Sequence, residues 1–187
     1  MKSAFKILGI FICLLGFAFA RPDYRTYSDD IDTLAIWINP KKIKVYINDD
    51  SNKTSILTRA FNIWDDALRS DLNFVYVNSE QDADITIKYV DNLTKNQVGV
   101  AKTGYVQIQG KIYLTKVHVS ISRTDPIGFI RNDAQLLKTT LHEIGHAIGI
   151  IGHSSNSSDI MYYSTASTKN SSPSLKDIET VNKLYGF

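Results

Sequence analysis

The sequence holds a single cysteine, Cys13, and that residue sits in a stretch with the marks of a leader. Lys2 and Lys6 give a short basic start, Ile7 to Phe17 is apolar, and Ala18-Phe19-Ala20 forms an A-x-A cleavage signature. Cleavage after Ala20 leaves a chain with no cysteine at all. Such a chain has no disulfide and no thiolate ligand, so its roughly 165 residues must bury a core without covalent staples. A second shortage is of long apolar runs. Ile7 to Phe17 falls short of the roughly 20 residues a membrane helix needs, and no later stretch approaches that length. A retained N-terminal anchor is the alternative, but the expectation is an exported, extracellular protein that leaves the membrane with its leader. A third shortage is of charge of one sign. The whole chain is formally +2, and removing Lys2 and Lys6 leaves 19 basic residues against 19 acidic. Without a basic cluster interleaved with aromatics, nucleic acid is not expected as a partner.

What remains is polar and tyrosine-rich from Arg21 to Leu34, a segment that reads as a strap or a short pro-segment. Lys44-Val45-Tyr46-Ile47 alternates as a strand, and Asn48-Asp49-Asp50-Ser51 reads as a turn. Thr54 or Ser55 is placed to cap a helix whose apolar face is Leu57, Ala60, Phe61, Trp64, Ala67 and Leu68. Strands are expected at 73–77, 85–90, 98–102 and 111–122, and a helix at 133–150. Residues 154–174 are rich in Ser, Asn and Thr and predict a long loop, which in a compact domain is either functional or disordered. Leu175 to Tyr185 closes the chain as a helix. Strands mixed with three helices give an α/β or α+β domain over 35–187.

Three of the four histidines fall within His142-Glu143-Ile144-Gly145-His146-Ala147-Ile148-Gly149-Ile150-Ile151-Gly152-His153. On a helix His142 and His146 lie one turn apart on one face, so both imidazoles can reach one ion. Glu143 sits beside them and can take a proton from water at the metal without binding the metal itself. Gly149 suits a left-handed turn that ends the helix and brings His153 back as a third ligand. Three protein ligands leave an open position, which is what hydrolysis by one zinc ion requires. Taken alone, Met161 reads as a packing residue.

With Asp159-Ile160-Met161-Tyr162-Tyr163 placed after that motif, the sequence resembles the matrixin branch of the metzincin metallopeptidases, in which Met161 corresponds to the Met-turn under the metal. Ala60-Phe61-Asn62-Ile63-Trp64 is similar to the matrixin first helix, and Ala83-Asp84-Ile85-Thr86-Ile87 to the strand that follows it. The step from His153 to Met161 matches the matrixin spacing, and Leu175-x-Asp177-Ile178 through Leu184-Tyr185-Gly186 resembles the closing helix. The resemblance implies an α+β metzincin fold. Its sheet is mixed but mostly parallel and twisted, with about five strands and three helices, and the active-site helix leads to a Met-turn and a C-terminal helix. It further implies a monomeric zinc endopeptidase acting on polypeptides, with substrate extended along an edge strand at Gly99, Val100, Ala101 and Lys102. The primary pocket is then walled by the active-site helix and the segment after Met161.

Some features depart from the family pattern. The third histidine comes one residue late, which implies an added residue at Ile150-Ile151. The cysteine-switch prodomain and the aspartate-rich loops for calcium are not recognisable, so calcium is not indicated. His118 reads as an ordinary strand histidine. Tyr163 either packs or lends its phenol to the metal or an oxyanion, as a tyrosine so placed does in the astacin branch. Asp29 or Asp30 either belongs to a spacer or reaches the zinc as a latency segment. Sequons begin at Asn52, Asn92, Asn156 and Asn170. Two alternatives stand beside this reading: a catalytically silent zinc-binding module on the same fold, and an enzyme whose third ligand is Asp159 or Glu179.

Overall fold

β-branched and aromatic runs set the frame. A computed structural model describes residues 6–14, 35–49, 53–69, 71–94 and 96–187. The segment 21–34 with Asp29 and Asp30, and Asn52 with its sequon, lie outside the described residues. Strands run at β1 (Lys6–Leu14), β2 (Ala35–Ile36), β3 (Ile43–Ile47), β4 (Phe74–Tyr76), β5 (Ile85–Val90), β6 (Gln97–Ile108) and β7 (Lys111–Ser122). Helices run at α1 (Thr54–Ala67), α2 (Asp133–Ala147) and α3 (Leu175–Tyr185). The strands form one sheet in the order β1-β6-β7-β5-β3-β4, with β2 beside β7. The β3–β4, β3–β5, β5–β7 and β2–β7 pairs are parallel, and only β6 with β7 and β1 with β6 run antiparallel. The sheet is therefore mixed and mostly parallel, as expected. It has seven strands rather than about five because β1 and the two-residue β2 join it.

Alternation fixes the register. Val117, Val119 and Ile121 of β7 are buried, while His118 between them is exposed, and a one-residue slip would exchange the two sets. His118 lies 3.7 Å from the Glu80 carboxylate on the open face. β6 is longer than the expected 98–102. Gln109 and Gly110 both adopt positive φ, 50° and 83°, making a two-residue turn that carries the hairpin outward to Ile108. β1 is the apolar run of the expected leader and lies antiparallel along β6, with Ile12 opposite Val100 and Phe11 opposite Ala101. As the outermost strand it can leave without unpairing any other two strands. Among the described residues no helix is long and apolar enough to cross a membrane.

α1 buries Ile56, Leu57, Ala60, Phe61 and Trp64, the spacing of one helix face. Its cap differs from expectation. Lys53 takes the capping position without a side-chain bond to the helix N-terminus, while the Thr54 hydroxyl turns to the Asp49 carboxylate at 3.0 Å. The Trp64 indole N–H donates to the Leu141 carbonyl at 2.9 Å, joining α1 to the middle of α2. Both α2 and α3 start in capping boxes, Asn132 with Gln135 and Ser174 with Asp177. α2 ends at Ala147, three residues short of the expected 150.

Candidate metal centre

α2 runs through the core, and from Leu136 to Ala147 every residue except Lys138 is buried. The face bearing His142 and His146 points to the end of the sheet where β6 passes. Beyond Ala147 the helix stops because Gly149 takes φ +107°, in the left-handed region that a Cβ resists. A Cβ there would also strike the Ala35 carbonyl oxygen and the Leu184 side chain. The Ile150 N–H returns to the Gly145 carbonyl at 3.0 Å and closes the turn. From there the chain doubles back and places His153 opposite the helix.

The ligand atoms of His142, His146 and His153 lie within 4.8 Å of one another. Each helix imidazole is fixed from behind. His142 Nδ1 is 2.8 Å from the Ile160 carbonyl oxygen, and His146 Nδ1 is 2.7 Å from that of Ile150. A carbonyl only accepts, so each Nδ1 carries the proton and each Nε2 presents a lone pair inward. Among the described residues the buried His142 Nε2 has no hydrogen-bond partner, and His146 Nε2 is 3.3 Å from His153 Nε2. Burial lowers the pKa of His142 to about 3, with His153 adding to the effect and the Ile160 carbonyl opposing it. Burial, and then the neighbouring His142, hold His146 well below its ordinary value.

Glu143 is fully buried, and among the described residues the Ala101 backbone is the one group that approaches its carboxylate as a donor, short of full hydrogen-bond geometry. Burial pushes its pKa well above the usual carboxylate range, with the backbone at Ala101 drawing it partly back. Gly99 of β6 passes so close that a Cβ there would lie 2.5 Å from Glu143 Oε1 and 2.7 Å from the Thr139 methyl. The stretch Gly99, Val100, Ala101 and Lys102 thus runs directly past the carboxylate.

Met161 is fully buried, its sulfur against Gly145 of the active-site helix. The turn around it is held at three points. The Ser154 N–H donates to the Met161 carbonyl at 2.7 Å, which ties it to the residue after His153. From the other side, Asp177 of α3 accepts from the Ile160 N–H at 2.8 Å and from the Met161 N–H at 3.4 Å. Burial raises the Asp177 pKa, and hydrogen bonds from Ser174 and Ile160 counter that rise. The Ile160 peptide therefore bridges Asp177 on its N–H side and His142 on its carbonyl side. Asp177 was visible in the sequence as part of the closing helix, but no local pattern signalled this role, because the contact spans 17 residues.

Asp159 is buried and accepts from the Ser154 hydroxyl, and Glu179 is exposed on α3. Neither joins the histidine cluster. Tyr163 is 53% exposed and its ring lies 4.3 Å from that of Tyr162.

Residues 32–186 match the family model described as Matrixin. Metalloendoproteinase 1-MMP of Arabidopsis thaliana is 30% identical over 162 residues, covering 83% of this chain and 43% of the plant protein. The chain thus spans less than half the length of that relative. Two solved structures of myroilysin superpose with TM-scores of 0.51 and 0.50 at 15% and 14% identity. Each covers 82% of this chain, and 96% and 86% of its own. At such identities the likeness is one of fold.

Proposed function

We propose that this chain, which belongs to the matrixin family, is a secreted, monomeric zinc endopeptidase that cleaves extended polypeptides, with Glu143 as its general base. The observation that carries the reading is the convergence of three imidazole nitrogens beside a fully buried carboxylate. That donor set fits zinc. It offers three neutral nitrogens, two of them with their outer ring nitrogens committed to carbonyl groups, and it leaves room for a further ligand. A zinc ion held by His142, His146 and His153 supplies Lewis-acid polarisation of an amide carbonyl and acidifies water.

The chain's own residues do the rest. A Glu143 oxygen accepts a proton from the attacking water and returns it to the leaving amine nitrogen. β6 supplies backbone donors and acceptors to an extended substrate, the mode of strand addition. The antiparallel seat of β1 on Gln97–Tyr105 supports this, since the edge already takes an extended segment there. An absent side chain at Gly99 lets a substrate backbone come close to Glu143.

The experiment compares wild type with Glu143→Gln for zinc content and for cleavage of denatured casein. One zinc in each, with cleavage reduced by about 10² to 10⁴ in the variant, is expected. Zinc in both and no cleavage by the wild type would favour a silent zinc-binding module instead.

A further inference from the structure

Beside the metal centre a cavity of about 440 Å³ runs along the N-terminal half of α2. Lys138 and Gln135 line it from the helix. Both lie on the stripe that continues to His142, one and two turns away. Val98 lines it from β6, next to the Gly99 that touches Glu143. Thr165, from the segment after Met161, closes the far side, its hydroxyl 3.3 Å from that of the buried Thr139. A side chain held next to the reacting groups therefore has this cavity directly before it.

Its wall is largely apolar, with the cationic side chains of Arg131 and Lys138 set in it. Arg131 forms the floor and donates to the carbonyls of Val98, Ser122 and Gln135 and to the Thr139 hydroxyl. Lys138 is half-buried, and its ammonium donates to the Thr168 carbonyl at 2.7 Å. Among the described residues no carboxylate lies within ion-pair distance of that ammonium. Asp125, the one acidic group on the wall, uses Oδ1 to accept the N–H groups of Ile127 and Phe129 in its own loop. A ligand carboxylate that reaches this ammonium gains a charge-assisted hydrogen bond. Val98, Ile127 and Ala166 offer apolar wall for a methylene stem.

Building on the peptidase reading, we propose that Lys138 makes this cavity a specificity pocket for an acidic side chain adjoining the scissile bond, glutamate above all. A lysine or arginine at that position would bring like charge against Lys138 and is rejected. Lys138 acts through the substrate side chain, away from the reacting atoms.

The test does not depend on turnover. Dipeptide hydroxamates carrying Glu, Gln, Leu or Lys next to the hydroxamate are titrated calorimetrically into zinc-loaded wild type, Lys138→Met and Lys138→Glu. Wild type should bind the Glu compound about tenfold or more tighter than the Leu compound, the scale on which a built polar site discriminates. Lys138→Met should lose that preference, and Lys138→Glu should turn it toward the Lys compound. Far-UV circular dichroism verifies that the variants fold, and Lys138→Arg, which keeps the charge, should keep the preference. Equal affinities in wild type, no binding of any compound, or a Glu preference that survives Lys138→Met would overturn the proposal. A Glu preference in a protein that cleaves no substrate would leave the pocket standing and sink the peptidase reading alone.

Discussion

Gly145 and Met161 touch, because a Cβ built on Gly145 would fall on the Met161 sulfur and lie 3.3 Å from the Trp64 ring. The glycine lies in the last turn of α2, where alanine is the better helix former by up to about 1 kcal/mol, so its presence there reflects the space the Met-turn takes. Gly145→Ala should therefore destabilise the protein by about 1–3 kcal/mol through overpacking, despite the better helix propensity. Thermal unfolding of the zinc-loaded protein would measure it. A higher melting temperature in the variant would show that Met161 can move aside.

Asp177→Asn places an amide NH2 where the Ile160 and Met161 N–H groups now find a carboxylate. Hydrogen bonds to a charged group contribute about 1.5–3 kcal/mol each, so the variant should unfold measurably earlier. Zinc affinity should also fall, by about 10-fold or more, since the same Ile160 peptide orients His142. Competition with a chromophoric chelator would report it, and unchanged affinity would mean that Ile160 keeps its place without Asp177.

Gly99→Ala should separate activity from stability. The added methyl would push against Glu143 Oε1 at 2.5 Å and Glu143 Cγ at 2.8 Å, so the carboxylate must shift. A displacement of about 1 Å at a reacting group costs on the order of 10² in rate. Steady-state cleavage should fall by that order while zinc content stays at one ion. Activity within threefold of wild type would show that the carboxylate tolerates the push.

Metal removal should lower the unfolding temperature. A ligand bound only by the native state at 1,000 times its Kd stabilises by about 4 kcal/mol, so chelation should produce a drop that added zinc reverses. His153→Ala should lose most zinc affinity, whereas Asp159→Asn should keep it, because the Asp159 carboxylate is already occupied by the Ser154 hydroxyl. Equal zinc retention in His153→Ala and wild type would instead assign the third position to another residue.

Strong local periodicity made much of the fold readable. α3 spans Leu175–Tyr185 and β7 spans Lys111–Ser122, as their apolar spacing predicts. Where local signals were weak, the reading fell short. The outer half of β6 passes from half-buried to exposed and carries no core pattern, so only its pairing with β7 reveals it. The cap of α1 went to Lys53 because Asp49 offered Thr54 a better partner from outside the helix.

The spacing of His142, Glu143, His146, Gly149 and His153 was determined by the sequence itself. Residues three and four apart on a helix share a face whatever surrounds them, and a glycine is free to turn where others are not. The sequence could not show that Ile160 and Ile150 fix the imidazoles, that Asp177 holds the Met-turn, or that Lys138 faces a cavity one turn from His142. Those relations join residues brought together by the folding of the chain rather than by its local geometry. A hydrogen bond or an enclosed volume belongs to the packed whole, and only the tertiary structure decides it.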